Sequence, residues 1–568
     1  MATPTILSPF ERLPHVVLDI ICGYLDDESD HRPDLCAFSL TSHRCCAAAN
    51  TRRFNQIVLV VPNLDDLEAI LAELKTVLGH GERYGLVHRL RVQGVRRDER
   101  QPWERARPHD EEEENEKYAE DDDNLRQIER NFKGPPFCRL GQRFRWVVHG
   151  GSNDPNGDDW LPLASFIREL PALRDLIWSE SVPISLLDAL HNAKRPCRLH
   201  GLGFCLHSLV YDRSSPRAID PEEYALVTSP ALYSLRGTFA PFDNNGLLDY
   251  SPEALDLMIK GLAPNLTDIW LETQHHAPRY TRTSPLHSAG PSGTGSLRTF
   301  RLDFFYIKPY IFNAQSMANL RHLHLQWDPD TSQALADLAV AGHLPHLEML
   351  SLIRINANTE PDQAAVNQLL SHAKPLRHLY LEGHFSIHTF NLLTRQHGSA
   401  LRSLWLEPHP AHYYEPEEVE YGVDVLFTCS TDAVHIMVDR CPHLEELYIE
   451  MQRTRGNHHE VSIYRALRTF PRLKRLVLQP KCTVYGVERT GVQRATVELL
   501  KEAFSNHAAD EALARAIFNE ISPLGRQGQL QYLRIEPNFV TKINDFNTVF
   551  YNVMRALGRK WTGDNFSE

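Results

Sequence analysis

A six-residue phrase, Leu-x-x-Leu-x-Leu with other apolar residues as substitutes, recurs along this chain from about residue 170 onward. The plainest copies begin at Leu266, Leu320, Leu347 and Leu376. Further copies begin at Leu401, Leu444, Leu473 and Leu530, and weaker ones at Val87, Leu173, Leu199, Leu232 and Leu297. From Leu297 onward, the first residues of successive copies lie 23, 27, 29, 25, 43 and 29 positions apart. A period this regular predicts one structural unit repeated along the chain.

The spacing is typical of leucine-rich repeats, whose units run about 20 to 29 residues. Between the copies lie amphipathic stretches that predict helices, at 332–340, 363–371, 431–439 and 460–469. The predicted fold is therefore α/β, a leucine-rich-repeat solenoid with parallel strands inside and helices outside. Because strand side chains alternate, the first, fourth and sixth positions of each copy should point into a shared core.

The positions between the leucines should face the inner, concave surface of the solenoid. Position five of the eight better copies is aromatic at Trp270, Tyr380, Trp405 and Tyr448, and is otherwise Arg301, His324, Ser351 or Val477. Position seven is acidic at Glu272, Asp303, Glu382, Glu407 and Glu450. The sequence thus predicts an aromatic column beside an acidic one.

Such a pair of columns predicts a surface for a basic protein segment, because rings offer cation-binding faces and carboxylates pair with Lys or Arg. The candidate substrate-binding residues are Trp270, Glu272, Arg301, Tyr380, Glu382, Trp405, Glu407, Tyr448 and Glu450. The pattern also fits a purely structural role, since Trp and Tyr favour strands and exposed carboxylates favour solubility. The sequence leaves both interpretations open.

The first sixty residues lack the repeat and predict a compact module of three short helices. Pro14 suits a first helical turn, and apolar residues follow at the three-and-four spacing of one helix face: Val17, Leu18, Ile21 and Leu25. Further helices are predicted around 35–40 and 43–49. Helices this short bury little surface, so we expect neighbouring elements or a bound protein to stabilise the module.

Residues 10 to 61 resemble the F-box family, and with the repeats the chain resembles fungal-type F-box proteins with leucine-rich repeats. The resemblance is carried by Leu13-Pro14, Val17-Leu18, Ile21, Tyr24-Leu25, the stretch from Leu35 to Ser42 and the apolar segment from Phe54 to Val60. It implies docking on the Skp-type adaptor of cullin-RING ubiquitin ligases through Leu13, Pro14, Val17, Leu18, Ile21, Leu25 and Leu40. A plain helical cap on a repeat domain is the alternative.

A dense acidic run lies between the module and most of the repeats. Residues 110–117 and 120–123 carry ten carboxylates against one lysine, Lys117. Charges this dense repel one another and bury no apolar area, which predicts a disordered insertion over 97–135. The run could steer a basic partner electrostatically or be a solvated loop with no ligand.

Composition narrows the class of protein. The net charge of -13 argues against nucleic acid as the main ligand. The ten cysteines are scattered without a regular spacing, which predicts reduced thiols. No apolar run is long enough to cross a bilayer or to act as a secretory leader. We therefore expect a cytoplasmic or nuclear protein without a membrane partner.

Catalytic and metal-binding motifs are not evident. The Gly-rich stretch 284–296 is not followed by Gly-Lys-Ser/Thr, and Gly-x-Ser-x-Gly does not occur. The pairs His275-His276, His409-x-x-His412, His458-His459 and Cys205-x-His207 lack a second pair at a zinc-type interval. We expect no catalytic residue, no metal and no cofactor.

The predicted organisation is an F-box at 8–53, the solenoid start at 54–96, the acidic insertion at 97–135, the solenoid at 136–540 and a helical cap or tail at 541–568. The resemblance implies a non-catalytic substrate receptor of an SCF-type ubiquitin ligase, which holds a protein substrate near the ubiquitin carrier. A non-degradative interaction scaffold is the alternative, and an enzyme is a third hypothesis without a coherent site.

Overall fold

The computed structural model describes residues 12–25, 33–61, 64–93, 157–178, 182–193, 195–201, 206, 210–211, 219–239, 248–249, 251–273, 296–303, 314–327, 329–356, 360–408, 427–482, 501, 504–506, 508, 510–522, 530–537 and 561–564. The chain divides into a first unit, Met1–Ser296, and a second unit, Leu297–Glu568. The predicted acidic insertion at 97–135 lies outside the described residues.

The first unit opens with a module of three helices, α1 (His15–Leu25), α2 (Pro33–Ser39) and α3 (His43–Arg53). Pro14 precedes α1, and its carbonyl accepts hydrogen bonds from the backbone N–H groups of Val17 and Leu18. Ser42 caps α3, because its hydroxyl accepts the Cys45 N–H at 3.2 Å. The buried core of the module consists of Leu18, Cys22, Leu35, Phe38, Cys45, Ala48 and Ala49. The predicted helical module is therefore present.

Strands and helices alternate through the rest of the first unit. Its strands are β1 (Gln56–Val60), β2 (Arg89–Gln93), β3 (Asp175–Trp178), β4 (Arg198–Gly201), β5 (Val210–Tyr211), β6 (Leu232–Phe239), β7 (Leu248–Asp249) and β8 (Asp268–Thr273). Its further α-helices are α4 (Leu67–Val77), α5 (Leu161–Glu169), α6 (Ile184–His191), α7 (Pro221–Val227) and α8 (Ser251–Leu257), and a π-helix spans Met258–Leu262. Strands β1, β2, β3, β4, β6 and β8 form a parallel sheet in that order, whereas β5 and β7 pair antiparallel.

The second unit repeats the strand-then-helix pattern. Its strands are β9 (Thr299–Asp303), β10 (His322–Gln326), β11 (Met349–Asn356), β12 (His378–His384), β13 (Ser403–Pro408), β14 (Glu446–Gln452), β15 (Arg475–Lys481), β16 (Tyr532–Ile535) and β17 (Trp561–Asp564). Its helices are α9 (Ala314–Met317), α10 (Pro329–Val340), α11 (Glu360–His372), α12 (Ile387–His397), α13 (Thr431–Arg440), α14 (His458–Leu467) and α15 (Glu511–Ile521). Strands β9 to β16 are parallel and pair in sequence order.

The leucines of the repeat form buried rows across neighbouring strands of the second unit. Fourth-position residues pair in register, from Phe300 and Leu323 through Leu350, Leu379, Leu404, Leu447 and Leu476 to Leu533. All of them are buried, as are the sixth-position residues Leu325, Leu352, Leu381 and Leu406. Both units thus have the predicted α/β, leucine-rich-repeat build, with parallel strands that alternate with helices.

Two sequence predictions need correction. The copy assigned to begin at Leu199 is out of register by three residues, because Leu199 pairs with Leu176, the fourth position of the preceding copy. In the tail predicted to be helical, 541–568, the described residues 561–564 form β17, which pairs antiparallel with β16. The backbone groups on that side of β16 gain hydrogen-bond partners from this strand, which a helix would not supply.

Gly383 tests how tightly β11 and β12 approach each other. It has a φ of 115°, and a Cβ at this position would overlap the backbone of Ile355 on β11. We expect Gly383→Ala to lower the free energy of unfolding by about 3 kcal/mol, measured by urea denaturation. Gly342 has a φ of 72° with nothing near its Cβ position, so Gly342→Ala should cost only about 1 kcal/mol. Equal losses in the two variants would contradict the close approach.

Candidate functional site

Helix α1 carries large apolar side chains on the face that points away from the module core. Val16, Ile20 and Tyr24 lie four residues apart on one helix face and are 70%, 53% and 87% exposed. Leu40, just after α2, is 87% exposed. Exposed apolar side chains that share one helix face can mark an interaction site, so we treat Val16, Ile20 and Tyr24, with Leu40 of the same module, as a candidate interface and call these four residues the apolar docking set.

The seven residues predicted to contact an adaptor fall into two groups. Leu18 lies in the module core with no exposed surface, and Leu13, Ile21 and Leu25 pack partly buried against that core. Pro14 and Leu40 are exposed, and Val17 is half-buried. Four of the predicted adaptor contacts thus face the module core, whereas Val16 and Ile20, which the prediction did not include, lie on the outward face of α1 at the same helical spacing.

Three rings of the predicted aromatic column contact one another in the second unit. Tyr380, Trp405 and Tyr448 are register partners on β12, β13 and β14. The rings of Trp405 and Tyr448 stack with centroids 3.7 Å apart and planes within 7°. Tyr380 meets Trp405 edge to face at 5.2 Å. We call these three rings the aromatic ladder.

Two carboxylates of the predicted acidic column accept hydrogen bonds from the aromatic ladder. The Tyr380 hydroxyl donates to Glu382 Oε2 at 2.7 Å and lies 3.4 Å from Glu407 Oε2, which also accepts the Trp405 Nε1–H at 3.2 Å. Burial, followed by the charges of Glu407 and Glu382, raises the pKa of the Tyr380 phenol well above its ordinary value. Tyr380 therefore stays protonated and keeps both carboxylates in place.

Burial differs along the aromatic ladder. Tyr380, Trp405, Glu382 and Glu407 are half-buried, whereas Tyr448 is 2% exposed and Glu450 is 7% exposed. Burial, together with the charges of Glu407, Glu536 and Glu450, raises the pKa of the Tyr448 phenol well above its ordinary value. The part of this face available to a ligand is therefore centred on β12 and β13.

The remaining predicted substrate residues lie on other strands. Arg301 is half-buried on β9 of the second unit. Trp270 is on β8 of the first unit, where the guanidinium of Arg236 lies 3.8 Å from its ring centroid. Glu272 is also on β8, and its side chain lies outside the described residues.

The sheet of the first unit carries a group of basic side chains that the sequence analysis missed. Arg89, Asp175 and Arg198 are register partners on β2, β3 and β4. Asp175 Oδ1 accepts a hydrogen bond from Arg198 Nε at 2.6 Å and lies 3.1 Å from His200 Nε2, and Asp175 Oδ2 lies 3.7 Å from Arg89 Nη2. The repeat copy assigned to Leu199 in fact begins three residues earlier. In that register Arg198 and His200 occupy positions three and five, between the buried apolar positions, and the wrong register concealed this placement.

Asp175 is the charged centre of this group. Its burial alone would raise the pKa of the carboxyl, but hydrogen bonds from His200 and Arg198 and their charges outweigh that effect and hold the pKa well below its ordinary value. Asp175 is therefore ionised at neutral pH and fixes the side chains on both neighbouring strands.

Among the described residues, no three His, Cys, Asp or Glu side chains come together as a metal site would require. No helix in the described part of the chain combines the length and the apolar character needed to cross a bilayer.

Comparison with known proteins adds little to this geometry. No protein-family model matches the chain, and no curated protein matches it either. A chain in the crystal structure of the Rad7 and Elc1 complex in yeast is similar with 12% identity and a TM-score of 0.25, over 65% of this chain and 90% of that one. A likeness this weak carries no conclusion about partners.

The ionised Asp175 should make stability depend on pH. We expect Asp175→Asn to lower the free energy of unfolding by about 2 kcal/mol near neutral pH, because it leaves Arg198 and His200 without their anion. A folded-state pKa below the unfolded value of about 3.9 stabilises the protein above that pH, and this stabilisation is lost as the pH falls through the folded-state pKa. The difference between wild type and variant should therefore shrink in urea titrations at about pH 3. The exposed Asp188 on α6 is the control, and an equal loss in Asp188→Asn would contradict the assignment.

Proposed function

We propose that this chain is a non-catalytic substrate receptor of an SCF-type ubiquitin ligase. In this proposal the three-helix module is an F-box that docks on a Skp-type adaptor, and through it on cullin and RING subunits. The repeats bind a protein substrate. The observation that carries the proposal is the apolar docking set, which occurs on the one part of the chain whose sequence resembles an F-box.

The module separates the residues that hold it together from those that a partner can reach. Leu18, Cys22 and Phe38 are buried between its helices, so they stabilise the fold of the module. Val16, Ile20 and Tyr24 contribute little to that core because they point outward. Burying three such side chains against a partner is worth about 1.5–3 kcal/mol each, enough to dominate a small interface.

The proposed substrate-binding surface is the half-buried part of the aromatic ladder. Tyr380 and Trp405 offer ring faces and edges, and Glu382 and Glu407 are held beside them by hydrogen bonds. A carboxylate can accept several hydrogen bonds at once, and a Lys or Arg side chain of a ligand can join those that are already made. We therefore propose that the substrate segment is basic.

As a ligase subunit the chain would act by proximity. Holding a substrate close to a charged ubiquitin carrier raises the effective concentration of the reacting groups without a catalytic residue on this chain. The proposed role needs no metal or cofactor.

Adaptor docking can be tested with variants of the outward face of α1. We expect the full chain to bind a purified Skp-type adaptor and the Ile20→Ser, Tyr24→Ser double variant to lose at least about fiftyfold in affinity by calorimetry, because two large apolar contacts are removed. The melting temperature should not change. The control is Val340→Ser, which alters an exposed apolar residue on α10 of the second unit.

Two outcomes would contradict adaptor docking. If wild type does not bind the adaptor, the module is a cap and the chain is better described as a non-degradative scaffold. If Leu13→Ala, Pro14→Ala abolishes binding but the Ile20, Tyr24 variant does not, the contact lies at the start of α1 and the outward face is not used.

Substrate charge can be tested on β12 and β13. We expect Glu382→Gln, Glu407→Gln to weaken binding of a labelled Arg- and Lys-rich peptide about tenfold, because two charge-assisted contacts are lost. Glu450 is left unchanged because it is buried, and changing it would test folding as well as binding. Fluorescence anisotropy with the full chain measures the effect.

The matched control removes the same charge elsewhere. Glu68 and Glu73 are exposed on helix α4, and their Gln variants change the net charge equally. The acidic run at 110–123 is present in every variant, so its attraction for the peptide cancels. Equal weakening in both double variants would show a general charge effect and contradict a site at the aromatic ladder.

A further inference from the structure

The sheet of the first unit presents basic side chains on the two strands that flank β3. Arg89 and Arg91 are on β2, and Arg198 and His200 are on β4. Between these strands, β3 contributes Asp175. We call Arg89, Arg91, Arg198 and His200 the arginine face.

The arginine face is held in place before any ligand binds. The Asp175 carboxylate accepts a hydrogen bond from Arg198 at 2.6 Å and lies 3.1 Å from His200 and 3.7 Å from Arg89. Its side chain is almost fully buried beneath them. Arg198 also lies 4.9 Å from the ring centroid of Tyr233 on β6. One carboxylate thus orients two arginines but neutralises only one positive charge.

The two outer arginines remain accessible. The side chain of Arg89 is 43% exposed and that of Arg198 is 46% exposed. Neighbouring strands lie about 4.8 Å apart, so these register partners two strands apart are separated by about 10 Å. In an extended polyproline II segment, which has three residues per turn and a rise of about 3.1 Å, the side chains of residues i and i+3 lie on the same side about 9 Å apart. The geometry suits two anionic side chains on one extended segment.

We propose that the arginine face binds an acidic segment of a partner protein, with carboxylates on Arg89 and Arg198. Guanidinium groups bind carboxylates through paired N–H donors, and a guanidinium already oriented by Asp175 loses less side-chain freedom on binding. Nucleic acid fits less well, because its affinity comes from neutralising many phosphates, whereas this face offers four basic side chains and one of their charges is opposed by Asp175. This surface is independent of adaptor docking and of the aromatic ladder.

The test uses the full chain and labelled dodeca-glutamate in fluorescence anisotropy at low salt. We expect binding that weakens as salt rises and that falls at least about tenfold in Arg89→Gln, Arg198→Gln. Arg89→Lys, Arg198→Lys should bind with an affinity between those of the wild type and the Gln variant, because the charge remains but the paired N–H donors are lost. Arg465→Gln, Arg515→Gln removes two exposed arginines from helices of the second unit and should have no effect.

A second variant keeps the test decisive if the Gln pair does not fold. Asp175→Asn retains both arginines and a side-chain oxygen that can still accept from Arg198, so part of their orientation is kept while the opposing negative charge is removed. We expect the gain in positive charge to outweigh the lost orientation and the peptide to bind more tightly, a result that a purely structural role of these residues does not produce. Thermal melting monitors folding of every variant.

The acidic run of the chain itself, 110–123, carries the same charge as the peptide and can compete with it for the face. A variant of the full chain in which every Asp and Glu of 110–123 is replaced by Asn or Gln removes this competing charge. Binding seen only in that form would support the arginine face and identify the run as its competitor. No binding in either form would overturn the proposal. The proposal would also be overturned if a single-stranded RNA dodecamer bound more tightly than the peptide and this RNA binding disappeared in the same Gln variant.

Discussion

Burial of the leucine rows is the constraint on which the rest of this structure depends. Leu350, Leu379 and Leu404 are register partners and are buried, so one face of each strand is committed to the core at the same positions. Side chains alternate along a strand, and the positions between the leucines are therefore free to vary. Binding chemistry can change from strand to strand without disturbing the packing beneath it.

The two units use that freedom differently. On β2 to β4 of the first unit, one buried carboxylate, Asp175, organises arginines on the strands beside it. On β12 and β13 of the second unit, Tyr380 and Trp405 donate to Glu382 and Glu407 instead. In each case a polar group is fixed by a register partner or by a residue two positions along its own strand, so recognition is built from contacts within the sheet.

Sequence periodicity predicted the strands and the contact among Tyr380, Trp405 and Tyr448, because repeats in register place equal positions side by side. Periodicity could not predict how deeply each side chain is buried. Tyr448 and Tyr380 occupy equivalent positions, yet Tyr448 is buried and Tyr380 is half-buried, since exposure depends on what packs around each strand. The error at Leu199 has another cause: a leucine in the fourth position looks like one in the first when no clear leucine precedes it, and that shift concealed Arg198.

Helix α1 shows that the spacing of apolar residues alone does not identify the buried face of a helix. Leu18 and Cys22 lie four residues apart, and so do Ile20 and Tyr24, so the helix is apolar on two faces and periodicity cannot say which one is inward. The structure assigns Leu18 and Cys22 to the core and leaves the other pair exposed. A helix needs only one apolar face to fold onto its module. The second face contributes little to that fold, and its exposed apolar area is what the proposed adaptor contact would bury.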